Sequence, residues 1–355
     1  MKIKIQIYAI IIVMMCFKTP SIAQQQTQDL LRGGAADANT LVQDYMAPFG
    51  KSFGAALNEG WYNTAKTHSF PFFDATLYWN WALVPTMDDN FTIPYLNHLQ
   101  SANPANTTSP TIAGGTNNGP TMNVIVENPL TGRDTVITHF QMPGGLNLKL
   151  MSLPIAQLTV GLLHGTDVSI RYMPQYNIPG SIDAKVNLWG IGLKHDIKQY
   201  IPFLSAVPID ISIQAGYTSF TSSADLDLQP DAGAIQTGAI YNNQKIEFDV
   251  NSFTANLIIS KKLPMFTFYG SVGYETSSSK LNVLGTYPVT ILNNSGQAQI
   301  MDITDPVKLN FSGVQGIKAN LGIRYRFTIL TLHADYTVSQ YSGISTGLGV
   351  DIDLK

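Results

Sequence analysis

Residues 319–339 read ANLGIRYRFTILTLHADYTVS, and the alternation within them decides the fold. Ala319, Leu321, Ile323, Tyr325 and Phe327 alternate with Asn320, Gly322, Arg324 and Arg326. After a short break Leu330, Leu332, Ala334, Tyr336 and Val338 alternate with Thr331, His333, Asp335, Thr337 and Ser339. A period of two puts the apolar side chains on one face of a strand and the polar ones on the other. The same pattern runs through Ile209, Ile211, Ile213, Ala215 and Tyr217 against Asp210, Ser212, Gln214, Gly216 and Thr218. It returns at the end of the chain in Ile344, Thr346, Leu348, Val350 and Ile352.

Working outward, ten such segments are found: 73–83, 157–163, 166–173, 187–195, 209–219, 244–260, 266–276, 307–326, 328–341 and 343–354. Alternate connections are tight (164–165, 196–208, 261–265, 327) and long (84–156, 174–186, 220–243, 277–306), and only Ser342 departs from the rule. Short turns at one end and long loops at the other, with an even strand count, are the plan of a bacterial transmembrane barrel with both termini in the periplasm. Two loops carry strand pairs of their own. Asn123–Val126 and Thr135–Phe140 flank Asn128–Gly132, and Leu281–Leu292 faces Gln297–Ile303 across Asn293–Gly296. If both pairs join the wall there are fourteen strands.

Before the strands lies one helical stretch, Asn39–Trp61. Leu41, Tyr45, Phe49, Phe53 and Leu57 recur every four residues, beside Val42, Met46 and Ala56, with Gln43, Asp44, Lys51 and Ser52 opposite. Asn39 or Thr40 is read as the N-cap, Thr40–Gln43 as a capping box, Pro48 as a kink, and Gly60 as the left-handed residue past the end. Such a helix is either an ordinary core element or a plug inside the barrel. A plug about 10 Å across favours twelve to fourteen strands over ten.

Lys2 and Lys4 precede an apolar run over Ile7–Phe17, with small residues at Ser21 and Ala23, so residues 1–23 read as a cleaved secretory leader. The single cysteine, Cys16, lies in that leader, which leaves an exported chain without disulfides. The mature chain then carries 18 basic and 24 acidic residues, a balance that argues against nucleic acid as a partner. Only 13% of residues are charged, about half the usual share for a soluble domain, yet no mature run is apolar enough for a spanning helix. The expected layout is a leader (1–23), a helical plug (24–70) and a barrel (71–355). The fold class is all-β: a transmembrane antiparallel β-barrel of 10–14 strands with an N-terminal helix plugging the lumen, in the outer membrane, with its lipid as partner.

Tyr45-Met46-Ala47-Pro48, Leu57 through Lys66 and Val84-Pro85 resemble the opening of a family of uncharacterised outer-membrane barrel proteins from Bacteroidetes-type bacteria. So do Gly161 through Asp167, Arg171-Tyr172-Met173-Pro174, Trp189 through His195 and Gly216-Tyr217-Thr218. The resemblance covers most of the mature chain and implies a barrel but no activity. The plan is also similar to outer-membrane transporters of long-chain fatty acids and aromatic hydrocarbons, in which an N-terminal segment plugs a fourteen-stranded barrel. Their Asn-Pro-Ala motif has a counterpart in Asn103-Pro104-Ala105, read as chance in a polar loop. The terminal Leu354-Lys355 departs from the aromatic ending of many barrels.

The lumen register collects Asp167, Arg171, Lys194, Asp210, Glu275, Arg324, Arg326, His333, Asp335, Asp351 and Asp353. These charges either pair with one another across neighbouring strands or form a polar constriction, with Arg324 and Arg326 as the expected plug anchor. Trp61, Tyr62, Tyr78, Trp79, Trp81, Trp189 and Tyr200 read as interface-belt aromatics. Phe49, Phe53 and Trp61 are alternatively the lining of a pocket for apolar solutes, and with Tyr45, Arg171, Arg324, Arg326, His333 and Asp335 they make up the candidate lumen and plug set.

No cofactor, metal or enzymatic activity is expected. Gly343–Gly347 fits a nucleophile-elbow pattern but opens a strand, and none of the six histidines pairs at HExxH spacing. A lipase-like barrel would need His333 beside a serine. The expected function is a passive uptake channel for small apolar molecules, which requires Tyr45, Phe49 and Phe53 to border a cavity. The alternatives are a structural or surface-interaction barrel using loops 84–156 and 277–306, and a periplasmic β-sandwich.

Overall fold

The computed structural model describes residues 35–127, 134–178, 184–204, 206–230, 233–292 and 297–352. The leader, residues 24–34 of the plug, the two hairpin turns at 128–132 and 293–296, Asp353 and the Leu354-Lys355 ending lie wholly or largely outside the described residues.

Ten strands close one antiparallel barrel: β1 (Phe73–Leu83), β2 (Leu150–Gly161), β3 (Thr166–Ile178), β4 (Ala184–Asp196), β5 (Asp210–Leu226), β6 (Gln244–Lys262), β7 (Phe266–Leu284), β8 (Val307–Phe327), β9 (Leu330–Val338) and β10 (Gly343–Ile352). Each pairs with its sequence neighbours, and β1 closes the ring between β2 and β10, with Leu77 opposite both Ala156 and Leu348. The β-sandwich reading is thereby excluded.

The alternation now has a physical meaning. On β9, Leu330, Leu332, Tyr336 and Val338 are exposed while Thr331, His333, Asp335 and Thr337 are buried. The same inversion holds around the wall, from Leu158, Ile170 and Trp189 to Ile213, Leu257, Val272, Leu321 and Leu348. A surface that exposes its aliphatic side chains and buries its charges is matched to lipid, not water. Among the described residues no helix is long and apolar enough to cross a membrane.

Both extra strand pairs stay out of the wall, which corrects the expectation that a plug helix calls for twelve to fourteen strands. Thr121–Glu127 and Asp134–Gln141 form a three-stranded sheet with Leu99–Ser101, and Thr286–Leu292 pairs only with Ala298–Thr304. Several wall strands run beyond the alternating segments, as β7 does through Ser277, Ser278 and Ser279 to Leu284, because serine-rich wall ends carry no hydrophobic period.

The helix α1 (Ala35–Asn58) starts four residues earlier than Asn39, so Thr40–Gln43 is not its capping box. It passes through Pro48, which lacks the N–H that would bond the Asp44 carbonyl. Beside that break the Tyr45 carbonyl accepts the Ile112 N–H at 3.0 Å from outside the helix. The first half of α1 is wrapped by the 84–149 loop: Leu41, fully buried, sits among Leu96, Leu99, Met122, Val124, Phe140 and Met142. The second half descends into the barrel.

Ten strands accommodate a helix because the contact is built from small residues. A Cβ on Gly50 would stand 2.2 Å from Phe311 Cε2, and one on Gly54 would stand 2.1 Å from Ser277 Oγ. At that place β7 and β8 slip register between Thr276 and Ser278, a bulge at the closest approach of helix to wall. The chain enters at the loop end and reaches β1 at the turn end, so the expectation of both termini on the turn side fails for the described start of the plug.

Candidate functional site

The lumen is occupied from end to end, in two layers of opposite character. In the upper layer, near the loop end, Phe53 packs on Phe220 and Phe248 with ring centroids 4.5 and 5.7 Å apart, and Phe49 on Phe248 at 4.9 Å. Both plug rings are buried, and Tyr45 donates its hydroxyl to the Gly144 carbonyl at 2.9 Å. Phe49 and Phe53 therefore fill the space between helix and wall, and Tyr45 is tied to the 84–149 loop.

Below them α1 ends in polar surroundings. The last carbonyls of any helix lack internal donors and carry partial negative charge. Here the wall supplies cations and an amide. Arg171, fully buried on β3, donates to Leu57 O at 2.8 Å and to Glu59 O at 2.7 Å. Lys318 on β8 donates to Asn58 O at 3.0 Å, and Asn80 on β1 donates to Ala56 O and Glu59 O at 3.1 and 3.0 Å. Gly60 takes φ 72° as the C′ residue, as its position in the sequence implies. The Glu59 carboxylate accepts from Thr337 at 2.7 Å and lies 3.6 Å from Lys318.

Trp61 follows, wedged where a Cβ on Gly192 or Gly216 would collide with its ring at 2.6 and 2.4 Å. The Arg171 guanidinium covers its other face at 3.6 Å. From here to the turn end the chain is laced to the wall by hydrogen bonds. Tyr62 pairs with Ser271 at 2.5 Å, and the Ala65 N–H donates to Ser260 at 3.0 Å. Lys194 donates to Lys66 O at 2.9 Å while its ammonium pairs with Asp167 at 3.0 Å. The His68 N–H and Nδ1 both engage Asp167, at 2.8 and 3.0 Å.

The expected anchors are reassigned. Arg324 and Arg326 converge on Asp351 of the wall, Arg326 at 3.3 Å, and Arg324 also lies 3.7 Å from Asp74. They neutralise wall carboxylates, and the plug is held instead by Arg171, Lys318 and Lys194. Lys318 shares the inward parity of Asn320 and Arg324, so the alternation contained that signal one residue before the quoted stretch begins. Asp335 accepts from Tyr269 and Asn320 at 2.8 and 2.7 Å, and His333 lies with its ring 4.8 Å from Tyr78 and against Gly347. Cross-wall pairing of the lumen charges is thus what most of the set does.

Of the belt aromatics, Trp79 and Trp81 stack on the outer face at 6.2 Å, and Trp189 and Tyr200 are exposed. Trp61, Tyr62 and Tyr78 are buried inside the lumen, a correction to their reading as belt residues. Tyr78 has inward parity with Asp74, Thr76 and Asn80, which outranks its aromatic character. Ser345 of the elbow-like pattern donates to Asn80 at 2.7 Å, not to a histidine. Above the lumen Tyr341 donates to Asp88 of the 84–149 loop, and burial together with that carboxylate raises its phenol well above the usual range.

Residues 1–352 match a single family model. The chain belongs to DUF6588, a family of unknown function. No curated protein matches it. Among solved structures it is similar to the translocator domain of the autotransporter NalP from Neisseria meningitidis, at 9% identity over 80% of this chain and 88% of that one, with a TM-score of 0.30. It is also similar to the outer membrane transporter YddB from Escherichia coli (9%, 78% and 41%, TM-score 0.32). A third likeness is to the toluene transporter TbuX from Ralstonia pickettii (9%, 80% and 90%, TM-score 0.21). At such scores the likeness carries nothing about cargo or mechanism.

Proposed function

We propose that this DUF6588 member is an outer-membrane barrel closed by its own N-terminal segment, which works through the surface at its loop end. The observation that carries the reading is the continuous filling of the lumen, from Phe49 against Phe248 at the top to His68 against Asp167 at the bottom. The loop surface is built to stay in place. The 84–149 loop shares an apolar cluster with Leu41, bonds Tyr45, and is tied to the wall end through Tyr341 and Asp88. On it a cavity of about 620 Å³ is bordered by Tyr95, Leu96, His98, Met122 and Asp134, with Tyr95 93% exposed. An exposed aromatic beside a concave, mixed polar surface is suited to binding a partner or small ligand from outside.

A second reading has its own support. Below Leu57 the plug is fastened largely by hydrogen bonds and ion pairs, beside the packing of Trp61 and Tyr62 against Ile258 and Tyr269, and water can replace such polar contacts at small net cost. A channel that opens by displacement of residues 59–68, for small polar solutes matching the Ser, Thr and Asn lining, is consistent with that.

Liposome swelling separates the two. Purified barrel in liposomes is expected to pass no small sugar, and a double variant Arg171→Met with Lys318→Met is expected to pass none either. Swelling by the wild type overturns the sealed reading. Swelling by the double variant alone shifts the function to a displaceable plug.

A further inference from the structure

At the turn end, three side chains from separate parts of the chain point one end each at a common centre. His68 comes from the plug, Asp74 from β1 and Asp351 from β10, and one donor atom from each lies within 4.8 Å of the others. All three residues are more than nine-tenths buried. Asp74 and Asp351 face each other directly across β1 and β10, a like-charge pairing that is unfavourable on its own.

The far end of each group is already held. Asp74 Oδ1 accepts from Thr76, and Asp351 Oδ2 accepts from Arg324. His68 Nδ1 faces Asp167 Oδ2 at 3.0 Å, which, with the proton on Nδ1, leaves the lone pair on Nε2. The near ends are the ones that accept no hydrogen bond: Asp74 Oδ2 and Asp351 Oδ1 are buried, Asp74 Oδ2 lies 3.7 Å from the Arg324 guanidinium, and His68 Nε2 stands 3.8 Å from Asp351 Oδ1. A carboxylate behind a histidine, with the other imidazole nitrogen beside carboxylate oxygens that accept no hydrogen bond, is the outer support characteristic of a bound metal.

We propose that His68, Asp74 and Asp351 bind a divalent first-row transition ion, with Asp167 as the positioning residue behind His68. One imidazole and two carboxylates suit zinc, manganese or iron(II) more than calcium or a soft ion. An ion about 2 Å from each donor sets the donors about 3.3 Å apart, so closure takes carboxylate rotations of about 1 Å. A cavity of about 180 Å³ at the turn end is lined by His68 and Asp351 together with Lys66, Lys262, Arg324 and Arg326, which leaves room for an anionic exogenous ligand on the open side of the ion. The ion would pin the lower plug to both strands that close the ring. The site stands whether or not the barrel conducts. Sequence spacing gave no hint of it, because the ligands come from residues 68, 74 and 351 and meet only when the barrel closes.

The test uses the full refolded barrel in detergent, stripped with chelator and dialysed against zinc alone. One zinc per chain is expected, with affinity reduced at least tenfold in His68→Gln and in Asp74→Asn, and more modestly in Asp167→Asn. Retention of the heat-modifiable gel shift shows that each variant is folded. Cobalt substituted into the wild type is expected to give visible d–d absorption and paramagnetically shifted signals from one imidazole ring, a readout independent of the variants. No stoichiometric zinc, or binding unchanged in both ligand variants, overturns the site.

Discussion

The upper and lower halves of the lumen hold the same segment by different physics. Above Leu57 the plug presents Phe49 and Phe53 to Phe220, Phe248 and Phe311, and glycines at 50 and 54 let the helix lie against the wall. Area removed from water does the work there, and it asks little of direction. Below Leu57 the plug presents carbonyls and hydroxyls, and Arg171, Lys194, Lys318 and Asn80 meet them one by one. Each such contact is worth little net but costs much if one partner is removed while the other stays buried. The upper half therefore sets stability, and the lower half sets how far water reaches the helix end and Trp61.

The largest expected effect falls in the upper half. Phe53→Ala removes a fully buried ring from between Phe220 and Phe248 and is expected to cost about 3–5 kcal/mol in urea unfolding of the lipid-reconstituted barrel. Liposomes carrying it should stay tight, since the lower fastenings are intact. Solute leakage at unchanged stability would reverse the assignment of roles.

Next comes Arg171→Met, which strips two charged hydrogen bonds from the helix end and uncovers Trp61. About 3 kcal/mol of stability is expected to go, with a red shift in tryptophan emission as water reaches the ring. Unshifted emission would mean that Trp61 is held by its glycine bed alone. Gly216→Ala probes that bed, because the new Cβ would meet Trp61 Cε2 at 2.4 Å. A loss of about 1–3 kcal/mol is expected from overpacking, and a neutral result would show that the indole has room to slide. Smallest is Thr337→Val, which deletes the hydrogen bond donated to the Glu59 carboxylate at 2.7 Å and the one accepted from Asn320 at 2.9 Å. About 1 kcal/mol is expected in the same titration, and a loss above 3 would point to a network tighter than its pairwise contacts.

The wall was legible because lipid and lumen impose a strict period of two. β1 is read from Phe73 to Leu83 with no error, and all ten segments correspond to wall strands. The extra hairpins misled because Thr135–Phe140 and Leu281–Leu292 are strand-like runs beside turn residues, and the first four residues of the second run do lie in wall strand β7. Nothing in such a run says whether a neighbouring strand lies within reach. The site was legible in part. Parity alone placed Arg171, His333 and Asp335 inside, and the four-residue spacing placed Phe49 and Phe53 on one face of the plug. Parity could not say that Arg171 reaches the helix end while Arg324 turns to Asp351, since both are inward arginines, on β3 and β8 of the same ring. That choice depends on depth along the barrel axis, which is fixed by how far α1 descends, and that depends in turn on Gly54 meeting the bulge at Ser277.

The central claim is that the N-terminal segment threads the whole barrel from the loop end to the turn end. Cys16 is the single cysteine of the sequence, so in a Cys16→Ser background single cysteines at the exposed Gln43 and at Thr67 can be labelled cleanly with a membrane-impermeant maleimide. On intact cells Gln43→Cys is expected to react and Thr67→Cys to stay unlabelled until the periplasm is opened. Labelling of Thr67→Cys from outside, or protection of Gln43→Cys on intact cells with reaction from the periplasm, would contradict the threading.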